Sequence, residues 1–312
     1  MSFILPFKEL GKEHVSIAGG KGAQLGEMTQ AGISVPPGFV VLTAAFEEML
    51  EENSLKQVIN ELLKKTASLD NEAIEEASKE IRDIISKAKI PQNVEKEILS
   101  YYKELDAPLV AVRSSATAED AAAASWAGEL ETYLNVTHES LLYSVKKCWS
   151  SLFTARAIFY RVEKGLLGKS ISVAVVVQKM VQSEVSGVAF TVHPVTKDYN
   201  QMVIEAGFGL GEAIVGGLIT PDNYVIDKEE DLIVDIMVSQ QEKMICKQDG
   251  VTQEFPVPAE KQEQQKLDGK QIMELASLCK LIEKHYGKPQ DIEWAFAEGK
   301  FYITQSRPIT TL

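Results

Sequence analysis

Polar and apolar residues alternate from Asp291 to Ala297, with Ile292, Trp294 and Phe296 on one face. Glu298-Gly299-Lys300 supplies a turn in which glycine can take positive φ, and Phe301 to Thr304 resumes as a second strand. The pattern predicts a hairpin. Asp291 and Glu293 lie on the face opposite Trp294, and a suitable loop register adds Gln305 and Arg307 to it. Two carboxylates, an amide oxygen and a guanidinium then converge. That set suits a hard divalent cation and the phosphates it bridges.

Upstream, the pattern predicts short strands at Phe3–Phe7, Phe39–Leu42 and Pro108–Arg113, and a buried β-branched strand at Ile171–Met180. Ser186–Thr191, Met202–Glu205, Asn223–Asp227 and Leu232–Val238 are further strands. Helical spacing covers Gln24–Thr29, three amphipathic helices between Glu51 and Leu105, one long helix from Ser140 to Gly165, and a last helix from Gln262 to Tyr286. Ile74, Ile81, Ile84, Ile85 and Ala88 mark the buried stripe of the middle helix of the three. Thr43 reads as a helix N-cap. Ser114-Ser-Ala-Thr117 begins a loop, and Gly207–Gly217 is a glycine-rich loop entering a small helix. Strands mixed with helices, with hairpins late, indicate an α+β or mixed α/β fold.

Composition narrows the function. A chain of 312 residues, 45% apolar and 25% charged, can bury a sizeable core. Its net charge of −13 argues against a nucleic-acid partner, whose affinity rests on basic surface. Three scattered cysteines without zinc spacing suggest a reduced, cytoplasmic chain. The longest apolar stretch, around Val173–Val177, is far too short to span a bilayer, so no membrane role is expected.

Several segments carry candidate chemistry, each with a plain alternative. Gly19-Gly-Lys-Gly22 can cradle phosphate through backbone N–H groups with Lys21 as counter-charge, or be a turn opening a helix; it lacks the Walker A spacing. Arg113-Ser-Ser115 ends a strand, where an arginine can clamp phosphate oxygens or form a structural salt bridge. The following loop holds Ser125, Gly128 and Thr132, small enough to lie over a polyphosphate, or simply mobile. Gln178-Lys-Met-Val181 can offer backbone groups to a purine edge, with Met180 and Val181 against its face, or be a plain strand end. Gly207-Phe-Gly-Leu-Gly-Glu212 has the wrong third glycine for a dinucleotide fold, although Glu205 and Glu212 remain able to face a site. His14, His138, His193 and His285 show no metal spacing; His193 alone stands out, in the loop Val192-His-Pro-Val195.

In order, Gly19–Met28, Val112–Asp120, Val185–Thr191, Gly209–Ala213 and Asp291-Ile-Glu-Trp with Gln305-Ser-Arg-Pro308 resemble the nucleotide-binding domain of phosphoenolpyruvate synthase. Pyruvate phosphate dikinase and rifampicin phosphotransferase share that domain. The resemblance implies an ATP-grasp-like fold in which ATP lies between two lobes, 1–182 and 183–312. It implies Lys21, Arg113 and Arg307 on the phosphates as the catalytic cations. It places Gly128 and Thr132 in a lid, and Gln178, Lys179, Met180 and Val181 at the adenine. Mg2+ falls on Glu293 and Gln305, with Asp291 nearby. ATP would donate a phosphoryl or pyrophosphoryl group to a histidine on a separate swivelling domain, leaving AMP. A substrate-binding domain would complete the enzyme.

Two departures from the family pattern matter. Asp120 is followed by Ala121-Ala-Ala-Ala124 where a Leu-Pro-x-Ala-type sequence is common, which should loosen the lid. No Thr-Ser-His-type acceptor motif is present, so the acceptor and substrate regions are expected in a longer chain or a separate protein. An antibiotic-phosphorylating parent and a non-catalytic nucleotide-sensing module stay open as alternatives.

Overall fold

Val173-Ala-Val-Val-Val177 is apolar at every position, so a strand built from it has no face to give to water. It lies at the centre of a five-stranded sheet. The computed structural model describes residues 2–67, 70–117, 131–167, 171–248 and 250–310. No described helix is long and apolar enough to cross a membrane. The fold is mixed α/β, in two units: Met1–Gln30 with Pro37–Met180, and Ala31–Pro36 with Val181–Leu312.

The first unit runs β1 (Ile4–Pro6), α1 (Val15–Gln30), β2 (Gly38–Val41), α2 (Thr43–Glu52), α3 (Leu55–Lys65), α4 (Asn71–Lys87) and α5 (Gln92–Leu105). It continues with β3 (Val110–Ala116), β4 (Thr132–Val136), α6 (His138–Ser151), α7 (Ala155–Glu163) and β5 (Val173–Lys179). Its sheet has the order β1-β2-β5-β3-β4, antiparallel throughout. Side chains alternate between the two faces of the central strands. Val110, Val112, Val173, Val175 and Val177 join the helical core with Phe46, Ile81, Ile85 and Trp149. Phe46 stacks on Trp149 at 5.6 Å. The other parity places Ala111, Arg113, Ser115, Val176 and Gln178 on the opposite face, and Ser115 there meets α1.

Three sequence expectations are corrected here. Thr43 is the first residue of α2, not its cap; Leu42 holds the cap position, and no side chain caps. Ser114 and Ser115 do not begin a loop, because β3 keeps pairing with β5 through Ala116. The long helix is two helices: the Thr154 hydroxyl accepts the Ala157 N–H and starts α7 afresh, offering the backbone an alternative to continuing α6. In α4, Ile74, Ile81 and Ile85 are buried, and Ile84 is half-buried at the stripe's edge.

The second unit comprises β6 (Val185–Phe190), β7 (Gln201–Phe208), α8 (Glu212–Val215), β8 (Asp222–Asp227), β9 (Leu232–Met237), β10 (Lys243–Gln248), β11 (Val251–Pro256), α9 (Gly269–Tyr286), β12 (Gln290–Ala297) and β13 (Lys300–Pro308). Six strands form an antiparallel sheet ordered β13-β12-β6-β7-β8-β9. Ile292, Ala189, Ile204 and Tyr224 make a fully buried row across it. Helix α9 packs on this sheet and buries Ile272, Leu275, Ala276 and Cys279. It starts at Gly269 rather than Gln262, because Asp268 and Gln271 form a reciprocal capping box. The β10–β11 ribbon was not expected: none of its residues is buried, so no apolar face announces it. Segment 31–36, expected with the N-terminal lobe, belongs to this unit; the Ile303 N–H donates to the Ser34 carbonyl at 2.8 Å.

A buried ion pair closes the far end of this sheet. Lys266 Nζ lies 2.7 Å from Asp222 Oδ1, and neither side chain is exposed. Asp222 also accepts the N–H groups of Ser239 and Lys266 and the Tyr224 hydroxyl. All its acceptor sites are thus matched, which a buried carboxylate requires. Asp222→Asn should therefore cost roughly 3–5 kcal/mol, since it leaves the ammonium uncompensated. Urea unfolding measures this, and the double variant Asp222→Leu/Lys266→Met should be less destabilised than the single one.

Candidate functional site

In the first unit the chemistry gathers around a break in α1. Gly19 has φ 68 and ψ 172, outside the helical region, so the helix resumes after it with a fresh N-terminal turn. The interruption strands an acceptor and a donor. Ser115 serves both: its hydroxyl donates to the Ala18 carbonyl at 2.9 Å and accepts the Gly22 N–H at 3.2 Å. A Cβ on Gly19 would lie 2.3 Å from the Ser115 carbonyl oxygen, so only glycine fits. Lys21 follows, half-buried, in the first turn of the resumed helix.

Arg113 lies two residues before Ser115 and hence on the same face, 8% exposed. It pairs with Thr132 on β4, whose side chain is exposed. Gln178 sits on this face too, buried, opposite Gly38 and Ala111. Beyond it, the Lys179 N–H donates to the Pro37 carbonyl and the Met180 N–H to the Leu109 carbonyl. The structure therefore gathers Arg113, Ser115 and Gln178 on one sheet face beside the helix start that carries Lys21. Gly128, Ser125 and Ala121–Ala124 lie outside the described residues.

In the second unit the hairpin turn is tighter than expected. Ala297 pairs with Lys300, so only Glu298 and Gly299 form the loop, both with positive φ (53 and 72). A one-residue bulge compensates: Trp294 pairs with Ile303, but Glu293 pairs with Gln305 and Asp291 with Arg307. Lys300, expected in the turn, is paired instead, and the residue left unpaired is Thr304, in the bulge. Across this register Gln305 Nε2 donates to Glu293 Oε1 at 3.2 Å, and Arg307 Nε donates to Asp291 Oδ2 at 2.8 Å.

The row continues from Glu293 over Val188 to Glu205, so Asp291, Glu293 and Glu205 share one face. Burial pushes the Asp291 carboxyl above its ordinary value; Arg307 offsets part of this, and the charge on Glu293 adds to it. Burial, then the charge on Asp291, pushes Glu205 up as well. Burial alone raises Glu212. Among the described residues no three His, Cys, Asp or Glu side chains group as a metal cage. The donor set instead suits an ion that brings most of its own oxygen ligands, as magnesium on a nucleotide does. The histidines serve locally: His193 Nδ1 accepts the N–H groups of Val195 and Thr196, and His14 Nδ1 that of Gly11.

With this geometry in place, the comparisons with known proteins are decisive. Residues 15–312 match the family model of the pyruvate phosphate dikinase AMP/ATP-binding domain. The chain belongs to that family. It is 48% identical to a probable phosphoenolpyruvate synthase of Archaeoglobus fulgidus, covering 99% of this chain and 42% of that one. A probable phosphoenolpyruvate synthase of Methanocaldococcus jannaschii is 46% identical, over 100% of this chain and 27% of its own length. A rifampicin phosphotransferase of Bacillus cereus is 41% identical, over 100% and 36%. The chain thus spans less than half the length of these relatives.

Ser115, quoted in the Arg113-Ser-Ser115 segment, is the residue at this helix start to which sequence reasoning gave no role of its own. Part of its signal was available, a serine in register with Arg113 on one strand face; the unusual backbone at Gly19 was not. Gly19→Ala should lose more than about 2 kcal/mol, combining positive φ with a backbone clash. Gly32→Ala, with positive φ but open space, should lose about 1 kcal/mol, and thermal unfolding of both variants measures the difference.

The raised carboxyls carry a pH signature. A carboxyl raised in the folded state holds a proton that the unfolded chain has released, so stability falls as pH rises from its ordinary to its folded pKa. Glu205→Gln removes that loss. It should raise Tm near neutral pH and leave Tm unchanged near about pH 3, where the carboxyl is protonated in both the folded and the unfolded state. An equal rise at both pH values would refute the electrostatic origin.

Proposed function

We propose that this chain binds ATP with magnesium and is the phosphoryl or pyrophosphoryl donor domain of a phosphoenolpyruvate synthase-like enzyme. The proposed parent reaction converts ATP, pyruvate and water to phosphoenolpyruvate, AMP and phosphate. The observation that carries this reading is the bulged hairpin, which sets Glu293 opposite Gln305 and Asp291 opposite Arg307 in a member of an AMP/ATP-binding family. We take the fold to be ATP-grasp-like.

Lys21 and Arg113 would neutralise phosphate oxygens, Lys21 from a helix start that also offers N–H groups. Arg307 would do so from the hairpin. Glu293 and Gln305 would hold Mg2+, which supplies charge neutralisation on the phosphates when bound. Gln305 turns its amide nitrogen to Glu293, so ligation through oxygen requires its amide to rotate. Gly128 and Thr132 would cover the phosphates. Gln178 and its neighbours would meet the adenine; with the Lys179 and Met180 N–H groups committed, the Val181 N–H is the donor left for the purine edge.

Phosphoryl transfer needs alignment and charge neutralisation more than a protein nucleophile, which fits a site made of cations and a metal. The histidine acceptor would sit on a swivelling domain, with a substrate domain beyond it, in a longer chain or a separate protein. The setting would be cytoplasmic, in keeping with few, unpaired cysteines. Relatives of two kinds match this chain over its full length, a synthase and an antibiotic phosphotransferase. The donor domain therefore does not select the acceptor, and a rifampicin-type acceptor is the second reading.

Calorimetry tests the donor site. ATP should bind only with magnesium, and Lys21→Ala, Arg113→Ala or Arg307→Ala should each weaken it by about tenfold or more. Glu293→Ala should abolish the magnesium dependence. Binding indifferent to magnesium would sink the proposal. Transfer of labelled β-phosphate from ATP to an added histidine domain separates a donor from a sensor.

A further inference from the structure

A second site lies within the helical block of the first unit, away from the residues assigned to ATP, and does not depend on that assignment. Helix α7 buries Ala157, Ile158 and Arg161. The spacing is that of a core-facing stripe, yet its third member is a guanidinium only 4% exposed. Arg161 Nε has no hydrogen-bond partner among the described residues. Burial alone acts on its ionisation, lowering it, with no carboxylate offsetting the cost. Arginine does not escape such a cost by deprotonating. A buried, unmatched cation is strongly unfavourable unless an anion comes to it.

The space for one is present. Arg161 lines a cavity of about 590 Å³, walled by apolar side chains that include Phe46, Leu50, Ile59, Leu63 and Phe153. The other charges there are largely accounted for. Glu47 is engaged by Lys56 at 3.3 Å and by the Ser172 hydroxyl at 3.2 Å. Lys56 is shared between Glu47 and Glu51. Lys64, also on the lining, is exposed to solvent, which screens its charge. One buried, uncompensated positive charge among apolar walls calls for a single negative charge on an apolar body. The planar guanidinium fork matches a carboxylate bidentately, and the volume is that of a small-molecule site.

We infer that this cavity binds an amphiphilic carboxylate, its head on Arg161 and its apolar body among Phe46, Leu50, Ile59, Leu63 and Phe153.

Octanoate is the probe, titrated into the full chain by calorimetry, with octan-1-ol and inorganic phosphate as separate arms. Saturable octanoate binding is expected, weakened roughly thirtyfold or more in Arg161→Met, which keeps the volume and removes the charge. Arg161→Met should also raise Tm, because an unmatched buried charge is gone. Asn60→Trp, an exposed position on the lining, should block octanoate while leaving Arg161 in place, so the test survives if Arg161→Met fails to fold. Octanol binding as tightly as octanoate, octanoate binding unchanged in both variants, or phosphate binding where octanoate does not would each overturn the inference.

Discussion

The acidic face of the second unit depends on one extra residue in one strand. Phe301, Ile303, Gln305 and Arg307 share a parity, so a regular β13 would point all four to one face. Phe301 and Ile303 pair with Phe296 and Trp294 and must face inward with them. A regular strand would then press the Arg307 guanidinium against the apolar row that includes Ile292. The bulge at Thr304 reverses the parity midway. The strand keeps its apolar residues inside near the turn and delivers Gln305 and Arg307 to the acidic face beyond it. Everything assigned to that face, from the Asp291–Arg307 pair to the alignment with Glu205, follows from the reversal.

The acidic face itself is held in tension. Asp291, Glu293 and Glu205 share it, and both burial and mutual repulsion work against full ionisation of Asp291 and Glu205. Arg307 relieves Asp291 from the side. A bound cation would relieve the rest, because it favours the charged form that burial disfavours. The same physics explains why a chain with net charge −13 can serve an anionic ligand. What matters is the local sign once cations have been placed, not the total.

Much of this was legible in the sequence, and the losses have physical causes. The hairpin was foreseen with a three-residue turn and, register permitting, Gln305 and Arg307 on the face of Asp291 and Glu293. The structure brings them there through a two-residue turn and a bulge, because Glu298 tolerates positive φ and Phe301 must face inward. Strands with apolar periodicity were visible to within a few residues. The β10–β11 ribbon was not, since it buries little. The α6–α7 break was hidden because Thr154 caps locally inside a continuous helical pattern. Arg113 was given a role and Ser115 was not: Ser115 satisfies backbone groups across a kink, and only the backbone angles of Gly19 reveal that kink.

Among the described residues, the two buried cations outside those assigned to the nucleotide make an instructive contrast. Lys266 is wholly buried, and Asp222 meets it with every acceptor matched. That is the arrangement a structural charge requires, because desolvation must be offset within the fold. Arg161 is almost as buried, yet Glu47, the acid that shares its cavity, is turned to Lys56 and Ser172. A purely structural side chain at this helix position would be a leucine or methionine, which fills the stripe at no electrostatic cost. A charge kept where the fold gives it nothing, beside a cavity large enough for a small molecule, is better explained by what enters the cavity than by what surrounds it.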